Sequence, residues 1–468
     1  MSGAAVEPRT LTQSVPRALV GLALPILASQ TLRLAFQWVD ALWVRGLGVQ
    51  ATAAITTSVF VMWCVYSLHD VFGIGISAYV SQLVGAGDRA RAGVAARKGL
   101  IASACMGLAG VALGLFAPEA IFRAMDPEGS IVAAGASYLR VVLIGAPFLM
   151  TSLSCENVLR ACGDTRTPFL VDFVAIAVNA ALAPVFIYGL GPFPAMGVAG
   201  AAWATVCAQV LMFVIYATLA WRRHPSLPLA RRADGPPVHV RGMARVGLPA
   251  ASIGVLFSVV YIAFVRSASV HGAAAAAIVG VANRIEAIQF VFSASLGLGA
   301  ASLLGQALGA SRPERAAAVL RTAQVWSVAF ACVLTLAMFF APGVFLGMFT
   351  KDAEVFAIGV PYLRVLALTV VATALEITTA EAVMGSGHTT AVSWIYTIVS
   401  LARIPLAFLV PAWTHSGVMG IVWLITVSCW VRTAAVIAWS ARGTWKRGLG
   451  GELHGTAVGS ADAPGEAL

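Results

Sequence analysis

Fourteen ionisable side chains fall inside long apolar stretches of the sequence: Arg33, Asp40, His69, Asp70, Arg140, Asp172, Arg266, Arg284, Glu286, Arg364, Glu376, Glu381, Arg403 and Arg432. An ionised group at bilayer depth costs about 2.5 to 3.5 kcal/mol on insertion scales, so it faces a protein interior where it pairs, holds an ion or passes a proton. A desolvated carboxylate such as Asp40 can bind and release a proton near neutral pH, and an ionised one can hold a sodium ion or an organic cation. Arg33 lies seven residues from Asp40, about 10.5 Å along a helix axis, so direct pairing of the two is strained. His69 and Asp70 are adjacent and project about 100° apart. They read as a second proton carrier or substrate contact, or as a polar pair held by Arg33 or Arg140. Glu376 and Glu381 are candidate contacts for a cation. Arg284 and Glu286 read as structural ion pairs, and Arg140 and Arg364 as scaffold anchors.

Other chemistries are excluded by spacing. The seven cysteines are scattered without a CxxC pair and the seven histidines without HExxH, which leaves neither a disulfide framework nor a firm metal site. GAGD (85–88) matches the GxGD pattern of intramembrane aspartyl proteases, but its second copy reads GASR (309–312), so the aspartate reads as a helix cap. CGDT (162–165) is a turn. No catalytic spacing and no cofactor is implied, and the protein is not expected to be an enzyme.

The elements that carry these groups follow from composition. Of 468 residues 59% are hydrophobic and 11% charged, against roughly 25% charged in a soluble domain, and the mean hydropathy is +0.88. Apolar runs fall near 16–44, 52–84, 98–118, 133–157, 168–190, 195–221, 243–267, 274–306, 320–341, 356–384, 391–412 and 416–441. Each is long enough to cross about 30 Å of hydrocarbon. The expected fold is an all-α polytopic membrane protein of twelve helices. With the N-terminus in the cytoplasm, twenty Lys and Arg, Arg160 among them, fall in cytoplasmic connections and three (Arg45, Arg123, Lys351) outside. That bias puts both termini in the cytoplasm, and accounts for the net charge of +10 without a nucleic-acid partner. The expected organisation is a cytoplasmic segment 1–15, an N-lobe 16–221, a Pro-rich basic linker 222–242, a C-lobe 243–441 and a disordered tail 442–468.

The two lobes are copies. A single shift of 224 pairs Pro25 with Pro249, Gly73 with Gly297, Gly75 with Gly299, Gln82 with Gln306, Gly85 with Gly309, Arg91 with Arg315 and Tyr138-Leu-Arg-Val141 with Tyr362-Leu-Arg-Val365. Late in each copy GVAGAAW (197–203) matches GVMGIVW (417–423) at a shift of 220. With six spans per copy the halves share orientation, the architecture of lobes that rock about a site at their interface. Arg140 and Arg364, duplicated within YLRV, suit a shared scaffold role.

Several stretches resemble the multidrug and toxic compound extrusion (MATE) family: LALPILASQTLRLAFQWVDALWVRGLG (22–48), GIGISAYVSQLVGAGDRARA (73–92), NVLRACGDTRTP (157–168), GLGAASLLGQALGASRPERA (297–316) and ARIPLAF (402–408). The resemblance covers roughly 15–440. It implies two six-helix lobes exporting organic, often cationic compounds in exchange for sodium ions or protons. It places a coupling acid at Asp40, whose repeat partner is Phe264, and a polar partner at Asn179. Where some members carry a second acid one turn on, this sequence has Ala183, which leaves a sodium cage at Asp40 and Asn179 short of oxygen ligands. A C-lobe sodium site is also not expected, since the seventh span holds no acid. The expected partners are small organic cations or drugs and the lipid bilayer of the inner (plasma) membrane, with the protein a monomer. A lipid-linked saccharide flippase of related architecture is the alternative, favoured by Arg33, Arg284 and Arg403 and opposed by Asp40, Asp70, Glu376 and Glu381.

Overall fold

A computed structural model describes residues 9–125 and 129–450, without the side chains of Arg9, 37–42, Arg45, Val49, Thr56, Val59, Phe60, Ala124 and Met125. Among the described residues the regular structure is entirely helical. The N-terminal half comprises α1 (Arg9–Thr12), α2 (Val15–Arg45), α3 (Val49–Gly85), α4 (Arg89–Phe116), α5 (Pro118–Met125), α6 (Val132–Ile144), α7 (Ala146–Ala161), α8 (Arg166–Tyr188) and α9 (Val198–Trp221). The C-terminal half comprises α10 (Val240–Ser269), α11 (Ala273–Gly309), α12 (Pro313–Phe340), α13 (Pro342–Gly347), α14 (Ala353–Met384), α15 (Thr390–Thr414) and α16 (Val418–Ala441), closed by a 3₁₀ turn, Thr444–Arg447. Among the described residues eleven helices are long and apolar enough to span a membrane, or twelve if α6 and α7, bent by 52° at their junction, are one span.

The bend has a local cause. Pro147, at the second position of α7, has no N–H to donate to the preceding turn, and the chain breaks at Gly145. Gly107, Gly110 and Gly114 of α4 seat the bent span closely, since a methyl group on any of them would overlap Pro147, Ala146 or Leu143. The equivalent span α14 is continuous. The single apolar run 133–157 is therefore two helices, and the second reaches Ala161, so Glu156 and Arg160 lie within it. Both are buried, and Arg160 belongs to the lobe interior, not to a loop.

Each half builds its own apolar core. One is centred on Ile278, Leu363, Leu366, Ile421 and Val422, the other on Ile76, Val80, Val158 and Leu159. The lobes meet along α3 with α10, α2 with α11, and α3 with α11. Small residues let the backbones touch: a methyl group on Gly85 would overlap the backbone of Gln306, and one on Gly309 the backbone of Gln82. These two contacts exchange under the 224 shift, so a pseudo-twofold axis passes between α3 and α11.

The linker and tail are more ordered than their composition suggests. Leu227 and Val238 are buried, and Lys98 Nζ donates to the Val238 carbonyl at 2.8 Å. The tail, expected to be disordered from residue 442, instead buries Trp445 and Leu449; residues 451–468 lie outside the described residues.

Candidate functional site

In the N-lobe one guanidinium gathers two acids from different helices. Arg33 Nη2 of α2 donates to Glu156 Oε2 of α7 at 2.8 Å and to both carboxylate oxygens of Asp172 on α8 at 2.8 Å. Arg160, one turn beyond Glu156, donates to Glu156 Oε1. Two positive and two negative charges thus close on themselves. Asp172 is buried beside Arg33.

The C-lobe buries a charge pair of its own, built from other positions. Arg432 Nε of α16 lies 2.5 Å from Glu376 Oε1, and its guanidinium sits 4.4 Å above the Tyr396 ring of α15. Tyr396 is the repeat equivalent of Asp172, so one register supplies a carboxylate in one lobe and an aromatic face in the other. A second pair of equivalents ties the last two helices of each lobe. Asn179 Nδ2 faces Thr205 Oγ1 at 3.4 Å, while Arg403 donates to Ser428 Oγ at 2.7 Å and Cys429 Sγ at 3.1 Å.

Between the lobes lies a cavity of about 260 Å³, walled by Arg33, Tyr66, His69, Asp70, Gly73, Glu156, Asn157 and Arg160 from one side and Phe290, Ala294, Leu298 and Glu381 from the other, among others. Repeat-equivalent glycines shape it. Gly73 leaves room for the His69 ring and the Asn157 amide, and Gly297 for the Glu381 side chain; Asn157 and Glu381 are themselves 224 apart. His69 Nε2 contacts Asn157 Nδ2 at 3.3 Å, and its Nδ1 is buried without a partner. Asp70 and Glu381, one from each lobe, are within electrostatic reach of one another. Among the described residues neither forms an ion pair within 4.0 Å.

The MatE family model matches residues 25–185 and again 249–409, two blocks whose starts (249 − 25) and ends (409 − 185) are both 224 apart. The chain belongs to the MatE family. The "Probable multidrug resistance protein NorM" of Thermotoga maritima is 25% identical over 420 residues, 88% of this chain and 89% of its own length. The "FAD transporter" of Shewanella oneidensis is 25% identical over 346 residues, 74% of this chain and 76% of its own. A solved MOP superfamily transporter from Pyrococcus furiosus, described as having a binding pocket of reverse polarity, superimposes with a TM-score of 0.84 at 25% identity, covering 94% of this chain and 98% of that one. A MATE transporter solved in the outward-facing conformation shares the fold, with a TM-score of 0.85 at 24% identity, and covers the same 94% and 98%.

Measured against this MatE architecture, the candidates from sequence separate. His69, Asp70 and Glu381 converge on the cavity, and the His69 contact is with α7, not with Arg33 or Arg140. Asn179 and Glu376 are absent from its wall: one bridges α8 to α9, the other is held by Arg432 within the C-lobe. The side chain of Asp40 lies outside the described residues. Arg284 is exposed, and Glu286 has Arg403 of α15, across the lobe, as its electrostatic partner. Arg140 lies 3.3 Å from Glu119, and Arg364 Nε donates to the Phe339 carbonyl at 3.4 Å. Glu156 and Asn157, inside the apolar run 133–157, were not singled out from sequence, and Arg160, beyond its end, was assigned to a connection. The i, i+4 spacing of Glu156 and Arg160 was the available signal, together with the 224 shift that links Asn157 to Glu381.

Proposed function

We propose that this MatE protein is a secondary active antiporter that exports organic, amphipathic and cationic compounds in exchange for protons or sodium ions by alternating access. The observation that carries the reading is the charge balance at the interlobe cavity. Arg33 and Arg160 are neutralised by Glu156 and Asp172 within one network, whereas among the described residues Asp70 and Glu381 have no cation within 4.0 Å, Arg160 acting on Glu381 only at longer range. Net negative charge remains, one carboxylate on each lobe. An unpaired carboxylate away from bulk water is a cost that a bound cation relieves, and a cation touching both lobes ties its binding to their relative position. Tyr66 and Phe290 at the same wall supply apolar and cation-π contact for an aromatic cargo. The same balance weighs against an anionic cargo such as a lipid-linked saccharide, because neither cavity arginine has a free charge to offer.

Competition follows from the arrangement. The coupling ion and the cargo both answer the acids, so occupancy by one releases the other, and a differential of a few kcal/mol between the two lobe arrangements drives the cycle. Asp40 on α2 is the further coupling acid that the resemblance implies, with Asn179 in the same lobe. The positive-inside bias supports insertion in the plasma membrane with both termini cytoplasmic, and the two-lobe chain holds the whole cavity as a monomer.

The test is export of a fluorescent organic cation from everted vesicles under imposed proton or sodium gradients, for wild type, Asp40→Asn, Asp70→Asn and Glu381→Gln. Gradient-driven export in the wild type, lost at least tenfold in the Asp70 and Glu381 variants, is expected. Undiminished export in both overturns the cavity assignment, and no cation movement under either gradient overturns the antiporter.

A further inference from the structure

Two glutamines close the end of the bundle that holds the linker and the termini. Gln82, near the end of α3, donates its amide to the carbonyl of Ser386, just past α14 in the other lobe, at 2.9 Å. Gln306, its repeat equivalent on α11, donates to the carbonyl of Ala161, the last residue of α7, at 2.8 Å. Both are buried. The carbonyls at a helix C-terminus lack a partner within their own helix, and here each lobe supplies the donor for the other. The amide oxygens are used as symmetrically. Gln82 Oε1 accepts from the backbone N–H of Leu449 at 2.8 Å, and Gln306 Oε1 accepts from the Thr10 hydroxyl.

Those last partners belong to the two terminal segments. Leu11 of the N-terminal segment is buried in a cluster with Leu303, Leu304 and Val319 of the C-lobe, where Arg315 also donates to the carbonyls of Thr10 at 2.8 Å and Gln13 at 2.6 Å. Leu449 of the C-terminal segment is buried with Leu83, Val158 and Ala161 of the N-lobe. The N-terminal segment is thus fastened to the C-lobe, while the C-terminal segment bridges the lobes, Trp445 packing in the C-lobe cluster and Leu449 in the N-lobe one.

We propose that Gln82 and Gln306 are equivalent positioning residues of the transport cycle, a paired latch that holds the linker-end gate shut and that opens only when both terminal straps unseat. The chemistry suits a reversible gate. A neutral amide exchanges its partners for water at little net cost, while a side chain offering two donors and one acceptor can hold a carbonyl and a strap together. Methyl-free Gly85 and Gly309, each against the opposite glutamine's backbone, bring the two latches within one crossing. The inference goes beyond the export reading, because it concerns the resting position of the lobes and needs no cargo.

The test uses full-length protein with its seven cysteines replaced, in lipid nanodiscs, carrying spin labels at Ala90 and Glu314. These are exposed, repeat-equivalent positions at the linker end. Electron–electron distance measurements read the ratio of short (closed) to long (open) separations. Wild type is expected to hold the short distance. Gln82→Leu and Gln306→Leu are each expected to raise the open fraction severalfold and by similar factors, and the double variant by tenfold or more. Thr10→Val, which removes one strap bond and leaves the Gln306–Ala161 bond in place, is expected to move the ratio the same way by a smaller factor. An unchanged distribution in Gln306→Leu, in protein that melts as wild type does, overturns the latch. Should Gln306→Leu not fold, an unchanged distribution in Thr10→Val overturns it. Because the distances are read without cargo or gradient, failure of the latch leaves the export reading standing, and the reverse holds.

Discussion

Asn157 and Glu381 occupy the same place in the two repeats, and each fills the space that an equivalent glycine, Gly73 or Gly297, leaves beside it. In one lobe the residue is a neutral amide touching His69, in the other an acid with no cation within 4.0 Å among the described residues. The duplicated backbone makes two matching walls, and the divergence of a single side chain gives the cavity its sign. Function then follows from where the two copies differ, and gating from where they agree.

The two glutamates of α14 should behave oppositely. Glu376→Ala leaves Arg432 as a buried charge without its acid, and the expected loss is about 3–5 kcal/mol, read as a lowered melting temperature in detergent. Glu381→Gln should melt at or above the wild-type temperature yet lose cation export. Equal effects of both on stability contradict the division between core pair and cavity acid.

Arg33→Leu removes the cation that Asp172 depends on. The expected destabilisation is again about 3–5 kcal/mol, with part recovered in the double variant Arg33→Leu/Asp172→Asn, since the second change removes the stranded charge. Thermal unfolding of the two proteins side by side checks this. No recovery in the double variant argues that Arg33 acts through its packing and not its charge.

Gly85→Val and Gly309→Val should each cost about 1–3 kcal/mol by overpacking, because the added atoms meet backbone of the other lobe. Gly280→Val is the control, since nothing lies within 4 Å of its missing side chain. Melting temperatures of the three variants should separate the interface pair from the control.

His388, in the loop between α14 and α15, adds a pH dependence. Burial pushes its imidazole below the ordinary histidine range, the Arg447 guanidinium adds to the effect, and a hydrogen bond with Ser386 opposes it. With the folded value below the unfolded one, the unfolded chain binds more protons between the two, so stability rises with pH through that window. The contribution is complete above the unfolded value, about 6.5, and is lost as pH falls towards the folded one. Melting temperature should therefore drop more steeply below about pH 6.5 in wild type than in His388→Gln. Parallel pH curves for the two exclude the histidine as the cause.

Much of the fold was legible in the residues. Twelve spans, their grouping in two copies at one shift, and the glycines and glutamines held in register were all visible, because an apolar run of membrane length and a duplicated Pro, Gly or Gln are local facts. The same shift, carried through the charged positions, would have set Asn157 against Glu381 and Asp172 against Tyr396. What a linear reading could not supply is which charge meets which. Arg33, Glu156 and Asp172 stand on three helices and are 139 residues apart at the widest, so their closure into one neutral network depends on how α2, α7 and α8 pack. That packing also released Asp70 and Glu381 as the uncompensated pair and took Glu376 and Asn179 away from the cavity. It turned a tail read as disordered into a strap as well, since Leu449 finds its apolar site only once the opposite lobe is in place. Periodicity and repetition depend on neighbours along the chain and were set by sequence alone, whereas pairing and burial of charge depend on neighbours across space and were decided by the tertiary structure.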